Sequence, residues 1–293
     1  MSLGRIPKVF SDTLNDFYAR FDKADDEIGS IRDRLVNVET DETLVVSEEE
    51  VRNVFKKLSV RKAQGPDGIS PRLLHECANE LARVFQFIYN LTVEQGKIPL
   101  LWKTSKLVPV PKKKLCKELN DYRPIALTPV VMKCLEKLML KRLMQQTDDK
   151  LDPLQFAYRA NRGTDDACIL IIHTLLEHLE KPNTSARILY VDYSSAFNTV
   201  KPSLMYHKLC DLSVTPQLIR WVVNFLLDRT QFVSLGQSGC VSNSLVINTG
   251  SPQGCVLSPS LYTLYTNDCR TQSENTKLVK FADDSALLGL IKD

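Results

Sequence analysis

Val51, Val54, Phe55 and Leu58 recur at i, i+3, i+4 and i+7, the apolar stripe of an amphipathic helix. The preceding Ser47-Glu48-Glu49-Glu50 is a capping box, so that helix starts at Ser47. It ends before Gln64-Gly65-Pro66-Asp67-Gly68, a turn by composition. Upstream, residues 11–46 read as helical and acidic, with a break before Thr43. Pro71 opens a long helix to about Thr92, which Gly96 and Pro99 close. Lys106-Leu107-Val108-Pro109-Val110-Pro111 is strand-like, and its prolines argue for a sheet edge. Lys112-Lys113-Lys114 and Asp121-Tyr122-Arg123-Pro124 come next, then a helix to about Gln146.

The second half alternates the two periods. A helix is predicted from Asp165 to Glu180 and a short strand from Arg187 to Val191. Residues 203–228 read as two helices broken near Pro216. Gln231–Leu235 and Val241–Asn248 look like a hairpin. Ser258-Pro259 is an N-cap with a first-turn proline, opening a helix to about Asp268. Leu278–Ala282 and Ser285–Leu288 flank Asp283-Asp284 as strand, turn, strand. A helical, basic first half and an α/β second half suggest two lobes.

The chain has 293 residues, 43% apolar and 25% charged, which fits a folded domain or two and excludes a disordered or collagen-like chain. The longest apolar run, Ala167 to Ile172, is far short of the ~20 residues of a spanning helix. Met1-Ser2-Leu3-Gly4-Arg5 has no apolar signal core, so the expectation is an intracellular protein of cytoplasm or nucleus, not secreted and without a membrane partner. Eight dispersed cysteines without Cys-x-x-Cys read as free thiols, and zinc-ligand spacing with the four histidines is absent. The net charge of +3 divides into −7 over residues 1–50, +11 over 51–150 and −1 over 151–293. A basic middle suits a polyanion, although solvated helices give the same count.

Candidate chemistry begins with carboxylates. Asp192 ends the apolar run Ile188-Leu189-Tyr190-Val191, and Asp283 and Asp284 sit at a hairpin tip. Three carboxylates at one sheet edge repel one another unless cations join them. Mg²⁺ is the natural occupant, and two such ions can drive phosphoryl transfer. Asp-Asp also occurs at 25, 148 and 165, so the pair alone reads as a solvated turn. Gly250-Ser251-Pro252-Gln253-Gly254 lets backbone approach a flat ligand, or is simply a loop. Arg123 with Lys106 and Lys112–Lys114 could hold a triphosphate, or form a solvated basic loop.

Six segments occur in a telling order: Gly65-Pro-Asp-Gly-Ile, Asp121-Tyr-Arg-Pro-Ile, Gln155-Phe-Ala-Tyr-Arg-Ala-Asn-Arg-Gly-Thr-Asp-Asp-Ala, Val191-Asp-Tyr-Ser-Ser-Ala-Phe-Asn-Thr-Val, Gly250-Ser-Pro-Gln-Gly and Phe281-Ala-Asp-Asp. The series closely resembles the reverse transcriptases of non-LTR (LINE-type) retrotransposons, over roughly residues 47–293. Leu14-Asn-Asp-Phe-Tyr-Ala-Arg-Phe-Asp is similar to the family's segment upstream of the polymerase.

The resemblance implies an α+β right-hand polymerase with fingers and a partial palm, the thumb missing. It divides the chain into an acidic helical extension (1–46), a fingers-like basic lobe (47–186) and an incomplete palm (187–293). It implies RNA-directed DNA synthesis by two-metal nucleotidyl transfer from dNTP to a primer 3′-OH. The partners are an RNA template, a DNA primer and dNTP, with oligomeric state left open. Asp192, Asp283 and Asp284 would be the catalytic metal ligands for two Mg²⁺, with Mn²⁺ the alternative. Arg123, Lys112, Phe197, Gln253 and Gly254 would bind dNTP, with Phe197 excluding a ribose 2′-OH. Lys62, Gly65, Arg162, Ser251 and Pro252 would touch nucleic acid, with Arg159 a further candidate. Phe197 and Ala282 favour a DNA product over the RNA product of viral RNA polymerases.

Gln64 stands where the family often has Pro. More palm, a primer-gripping hairpin and the thumb come after the Asp-Asp hairpin in the family, and none fits after Asp293. The expectation is a truncated enzyme. Its rival is an inactive remnant that at most binds nucleic acid.

Overall fold

The computed structural model describes residues 5–36, 44–193, 195–236 and 239–292. In chain order the helices are α1 (Arg5–Ala19), α2 (Ile28–Val36), α3 (Glu48–Lys56), α4 (Pro71–Glu76), α5 (Ala78–Gln95), α6 (Val130–Thr147), α7 (Thr164–Leu179), α8 (Pro202–Asp211), α9 (Pro216–Leu226) and α10 (Ser258–Tyr265). The strands are β1 (Thr104–Pro111), β2 (Tyr122–Leu127), β3 (Thr184–Asp192), β4 (Arg229–Leu235), β5 (Cys240–Val241), β6 (Leu245–Ile247), β7 (Thr276–Phe281) and β8 (Asp284–Lys292).

Local chemistry sets many of these bounds. The Ser47 hydroxyl accepts from the Glu50 N–H and the Glu50 side chain accepts from the Ser47 N–H, completing the capping box of α3. Val51 and Phe55 are its buried stripe. Proline opens α4, α8 and α9, where its missing N–H costs nothing. Gly96 in the left-handed conformation closes α5.

Other expectations change. The long helix from Pro71 breaks at Cys77, whose ψ of 27° leaves the helical range, giving α4 and α5. The acidic helix over 11–46 is two helices, separated by turns around Arg20 to Glu27. Its expected break before Thr43 lies outside the described residues. The helix from Ser258 ends at Tyr265, not Asp268.

The chain forms two compact units that interleave along the sequence: Met1–Gln146 with Phe197–Ser258, and Thr147–Ala196 with Pro259–Asp293. The stretches 1–46, 47–186 and 187–293 that the resemblance implies run consecutively, whereas these units do not.

The first unit holds a sheet ordered β2-β1-β4-β5, with β6 also on β4. β1 is antiparallel to β2 and parallel to β4. β1 is thus an inner strand at Lys106 and Leu107 and keeps the expected edge position from Val108 to Pro111. The parallel pairing spans only Thr104–Leu107, so Pro109 and Pro111 lie where β1 has one neighbour. Pro109 also sits opposite Pro124, where two residues without N–H face each other. β2 itself was hidden by Pro124. Leu14 and Tyr18 of α1, 0% and 7% exposed, pack with Leu107, Ala126 and Val233 in the core of this unit.

The second unit holds the sheet β3-β8-β7, antiparallel throughout. Its core joins Phe156, Ala167 of α7, Val279 and Leu288. β3 pairs with β8 from Thr184–Lys292 to Asp192–Asp284, longer at both ends than the five residues expected. The outer edge of β7 is met at Lys280 by a bridge from Gln155.

Candidate active site

The second unit positions the aspartates. Val191 and Asp192 end β3, and the ladder places Asp192 directly opposite Asp284 on β8. Phe281 pairs with Asp284, so β7 and β8 are joined by the two-residue loop Ala282-Asp283. Ala282 has φ 56°, the left-handed region that a tight hairpin demands at this position. Register partners project to the same side of a sheet. Asp192 and Asp284 are exposed and Asp283 is half-buried. Among the described residues, no hydrogen bond or ion pair engages any of the three carboxylates.

Two phenols feel this corner. Burial, then the Asp283 charge, raises the Tyr158 hydroxyl. Burial, then Tyr193 and Asp283, pushes Tyr262 up to about 12. Both stay neutral near pH 7, so neither adds negative charge beside the carboxylates.

The donor set fits a hard cation. Mg²⁺ takes one or two carboxylates and fills its octahedron with water and phosphate oxygens, and these carboxylates are unengaged and reachable by solvent. Among the described residues no three or more His, Cys, Asp or Glu side chains are gathered closely enough to hold a metal ion, so Asp192, Asp283 and Asp284 do not by themselves form a ready ligand set, and an ion there would draw on water and substrate oxygens as well.

The first unit gathers several of the remaining candidates. The loop 250–254 is tied on both sides. Ser251 N–H donates to the Phe197 carbonyl at 2.7 Å and Gly250 N–H to Val200 at 2.7 Å. Ala126 N–H on β2 donates to the Gln253 carbonyl at 3.1 Å. Gly250 has φ 80°, and a Cβ there would lie 2.8 Å from the Asn198 Cα, so backbone contact demands glycine. Phe197, Ser251, Pro252, Gln253 and Gly254 therefore form one tethered group beside β2.

Arg123 is exposed on β2 opposite Val110, and no hydrogen bond or ion pair engages its guanidinium among the described residues. Lys112 is its neighbour at the β1–β2 connection, where its N–H donates to the Asp121 carbonyl at 2.8 Å. Lys113 is engaged, pairing with Asp121 at 2.7 Å. That ammonium, with the Lys117 and Glu118 N–H groups, holds the Asp121 carboxyl at about 2. Gly65 packs on the backbone after β2, where a Cβ would meet Pro129 Cα at 2.6 Å. Lys62 lies in the exposed turn just before it.

Arg162, in the second unit, has structural partners. Its guanidinium lies 5.4 Å from the Phe156 ring centroid and donates to the Pro153 carbonyl. Arg159 likewise donates to the Asp152 carbonyl at 3.1 Å.

Two anchors of the loop were missed in the sequence. Arg229 is buried and donates to the Thr249 and Gly250 carbonyls. Burial lowers its guanidinium to about 10. Glu136 on α6 is 0% exposed and accepts from the Val256 and Leu257 N–H groups at 2.6 and 3.0 Å. Burial pushes its carboxyl up to about 7 despite those donors. Glu136 lies between the apolar Leu135 and Met139, but Lys133 and Lys137 in the same stretch make it read as one charge of an ordinary solvated helix.

The family model described as "Reverse transcriptase (RNA-dependent DNA polymerase)" matches residues 110–290, a span containing all three aspartates. The chain is 30% identical over 254 residues to the RNA-directed DNA polymerase from mobile element jockey of Drosophila melanogaster, covering 83% of this chain and 27% of that protein. It is 27% identical over 246 residues to the Pol polyprotein from type-1 retrotransposable element R1 of Bradysia coprophila, covering 82% and 24%. It is 27% identical over 219 residues to the Pol polyprotein from type-2 retrotransposable element R2DM of Drosophila melanogaster, covering 75% and 20%. The chain thus spans about a quarter of the length of these relatives. It belongs to the reverse transcriptase (RNA-dependent DNA polymerase) family, beside the polymerases of non-LTR retrotransposons.

Proposed function

We propose that this chain is an RNA-directed DNA polymerase domain of a non-LTR retrotransposon, extending a DNA primer on an RNA template. The observation that carries the proposal is the β3–β8 register, which sets Asp192 opposite Asp284 with Asp283 at the adjoining hairpin tip. In right-hand terms, the three-stranded sheet is the palm element, and the basic segment around β1 and β2 belongs to the fingers.

Asp192, Asp283 and Asp284 would hold two divalent ions, Mg²⁺ or Mn²⁺. Such ions activate an attacking hydroxyl and stabilise a leaving oxygen in phosphoryl transfer. The primer 3′ oxygen would bond to the dNTP α-phosphorus as its proton passes to solvent, while the bond from the α-phosphorus to the oxygen bridging to the β-phosphorus breaks and pyrophosphate leaves with that electron pair. Arg123 would grip the triphosphate through its planar fork and Lys112 as a point charge. Phe197, fixed through its carbonyl to Ser251, would exclude a 2′-hydroxyl, while Gln253 and Gly254 line the nucleotide. Ser251, Pro252, Lys62, Gly65 and Arg162 would contact template or primer.

The test is primer extension on RNA with Mg²⁺ and dNTPs. Extension by the wild type, lost in Asp283→Asn, is expected. Phe197→Ala should lower the preference for dNTP over NTP by about tenfold or more. Extension unchanged by Asp283→Asn overturns the proposal.

A further inference from the structure

Lys280 lies three residues before Asp283, in the apolar run Leu278-Val279-Lys280-Phe281. It is buried, with a side chain 3% exposed, and pairs at 2.8 Å with Asp152, itself 4% exposed. Its ammonium also donates to the Thr266 and Cys269 carbonyls, each at 2.8 Å. Three N–H donors thus meet three acceptors, which saturates the group. The two carbonyls lie just past the C-terminus of α10, where a cation also complements the helix dipole.

The backbone of Lys280 is engaged too. Its N–H donates to the Leu154 carbonyl and its carbonyl accepts from the Phe156 N–H, both at 2.9 Å. Asp152 is held in turn. Its Oδ1 accepts from the Leu154 N–H at 3.0 Å, and its own N–H donates to Asn267 Oδ1 at 2.7 Å. Asn267 closes the circuit by donating to the Lys150 carbonyl at 3.2 Å.

A buried ion pair is a poor device for stability alone, because desolvation offsets much of the attraction. It does fix position. A one-residue slip of β7 against β8 would turn its side chains to the other face and displace Asp283 at the loop that joins the two strands. Here one side chain and its own peptide groups lock the strand leading into the Ala282-Asp283 loop against the 152–156 segment and the end of α10.

We infer that Lys280, through Asp152, is a positioning residue that fixes the Asp283 hairpin in register for divalent-cation binding at Asp192, Asp283 and Asp284. The inference rests on the proposed metal role of those aspartates.

The full chain is titrated with Mn²⁺ and free ion is read by electron paramagnetic resonance, beside a thermal melt. Asp192→Asn defines the signal that belongs to the aspartates. Lys280→Met strands a buried carboxylate and can unfold the protein, so the deciding variant is Asp152→Asn with Lys280→Met, which buries no charge. The expected result is a melt close to wild type with aspartate-dependent Mn²⁺ binding weakened at least tenfold. Mn²⁺ binding equal to wild type in the folded double variant overturns the positioning role alone. A double variant that does not fold also overturns it, making the pair a folding determinant. Wild-type binding unaffected by Asp192→Asn overturns the metal role itself, and the inference with it.

Discussion

Single residues decide how the loop that begins at Gly250 is held. Glu136 gives a prediction whose sign is set by its environment. Burial raises its carboxyl from an ordinary value near 4.5 to about 7, so the folded state binds the proton more tightly than the unfolded state. Stability linked to this group is therefore full below pH ~4.5 and declines as pH rises to about 7. A shift of this size corresponds to at most about 3 kcal/mol. Urea unfolding of Glu136→Gln at pH 5 and pH 8 should show that loss removed. An identical pH dependence in wild type and variant would contradict the assignment. Glu136 was legible only as one charge among several in α6. Its partners, two backbone N–H groups about 120 residues away, carry no signature in the sequence.

At the scale of elements, the β7–β8 hairpin is the most constrained. Ala282 adopts φ 56°, a region that costs a side chain about 1–2 kcal/mol and glycine nothing. Ala282→Gly should therefore stabilise the protein by roughly 0.5–1 kcal/mol, after the larger chain entropy of glycine is set against the relief. A lower unfolding midpoint in urea would contradict this turn geometry. The hairpin was legible because two apolar runs flank the aspartates, although its loop is Ala282-Asp283, one residue earlier than the expected Asp283-Asp284, and Asp284 opens β8. The Pro-opened helices and the α3 capping box were legible for the same reason, since local chemistry fixes them. β2 was not, because Pro124 reads as a break, and neither was the pairing of Thr104–Leu107 with β4. Both prolines are tolerated because Pro109 lies beyond the reach of β4 and Pro124 lies on the end strand of the sheet. The Cys77 break between α4 and α5 has no marker residue at all.

At the scale of the whole molecule, the acidic N-terminal segment reads as an extension because its charge is opposite to that of residues 51–150. Charge reports the solvent face and is silent about Leu14 and Tyr18, which enter the core of the first unit. Leu14→Ala should cost about 2–5 kcal/mol in urea unfolding, the range for a fully buried leucine. A change under about 0.5 kcal/mol would contradict the placement of α1. The six ordered motifs carried the family from the sequence, while the interleaving of two units along the chain was invisible to any consecutive division. The central claim is template-directed DNA synthesis at the aspartates. Its most direct test is single-nucleotide addition to a DNA primer, with the templating RNA base varied in turn. The account predicts addition of the complementary deoxynucleotide alone, slowed at least about 10²-fold by Asp192→Asn. Addition that ignores the template base, or that survives Asp192→Asn at full rate, would contradict it.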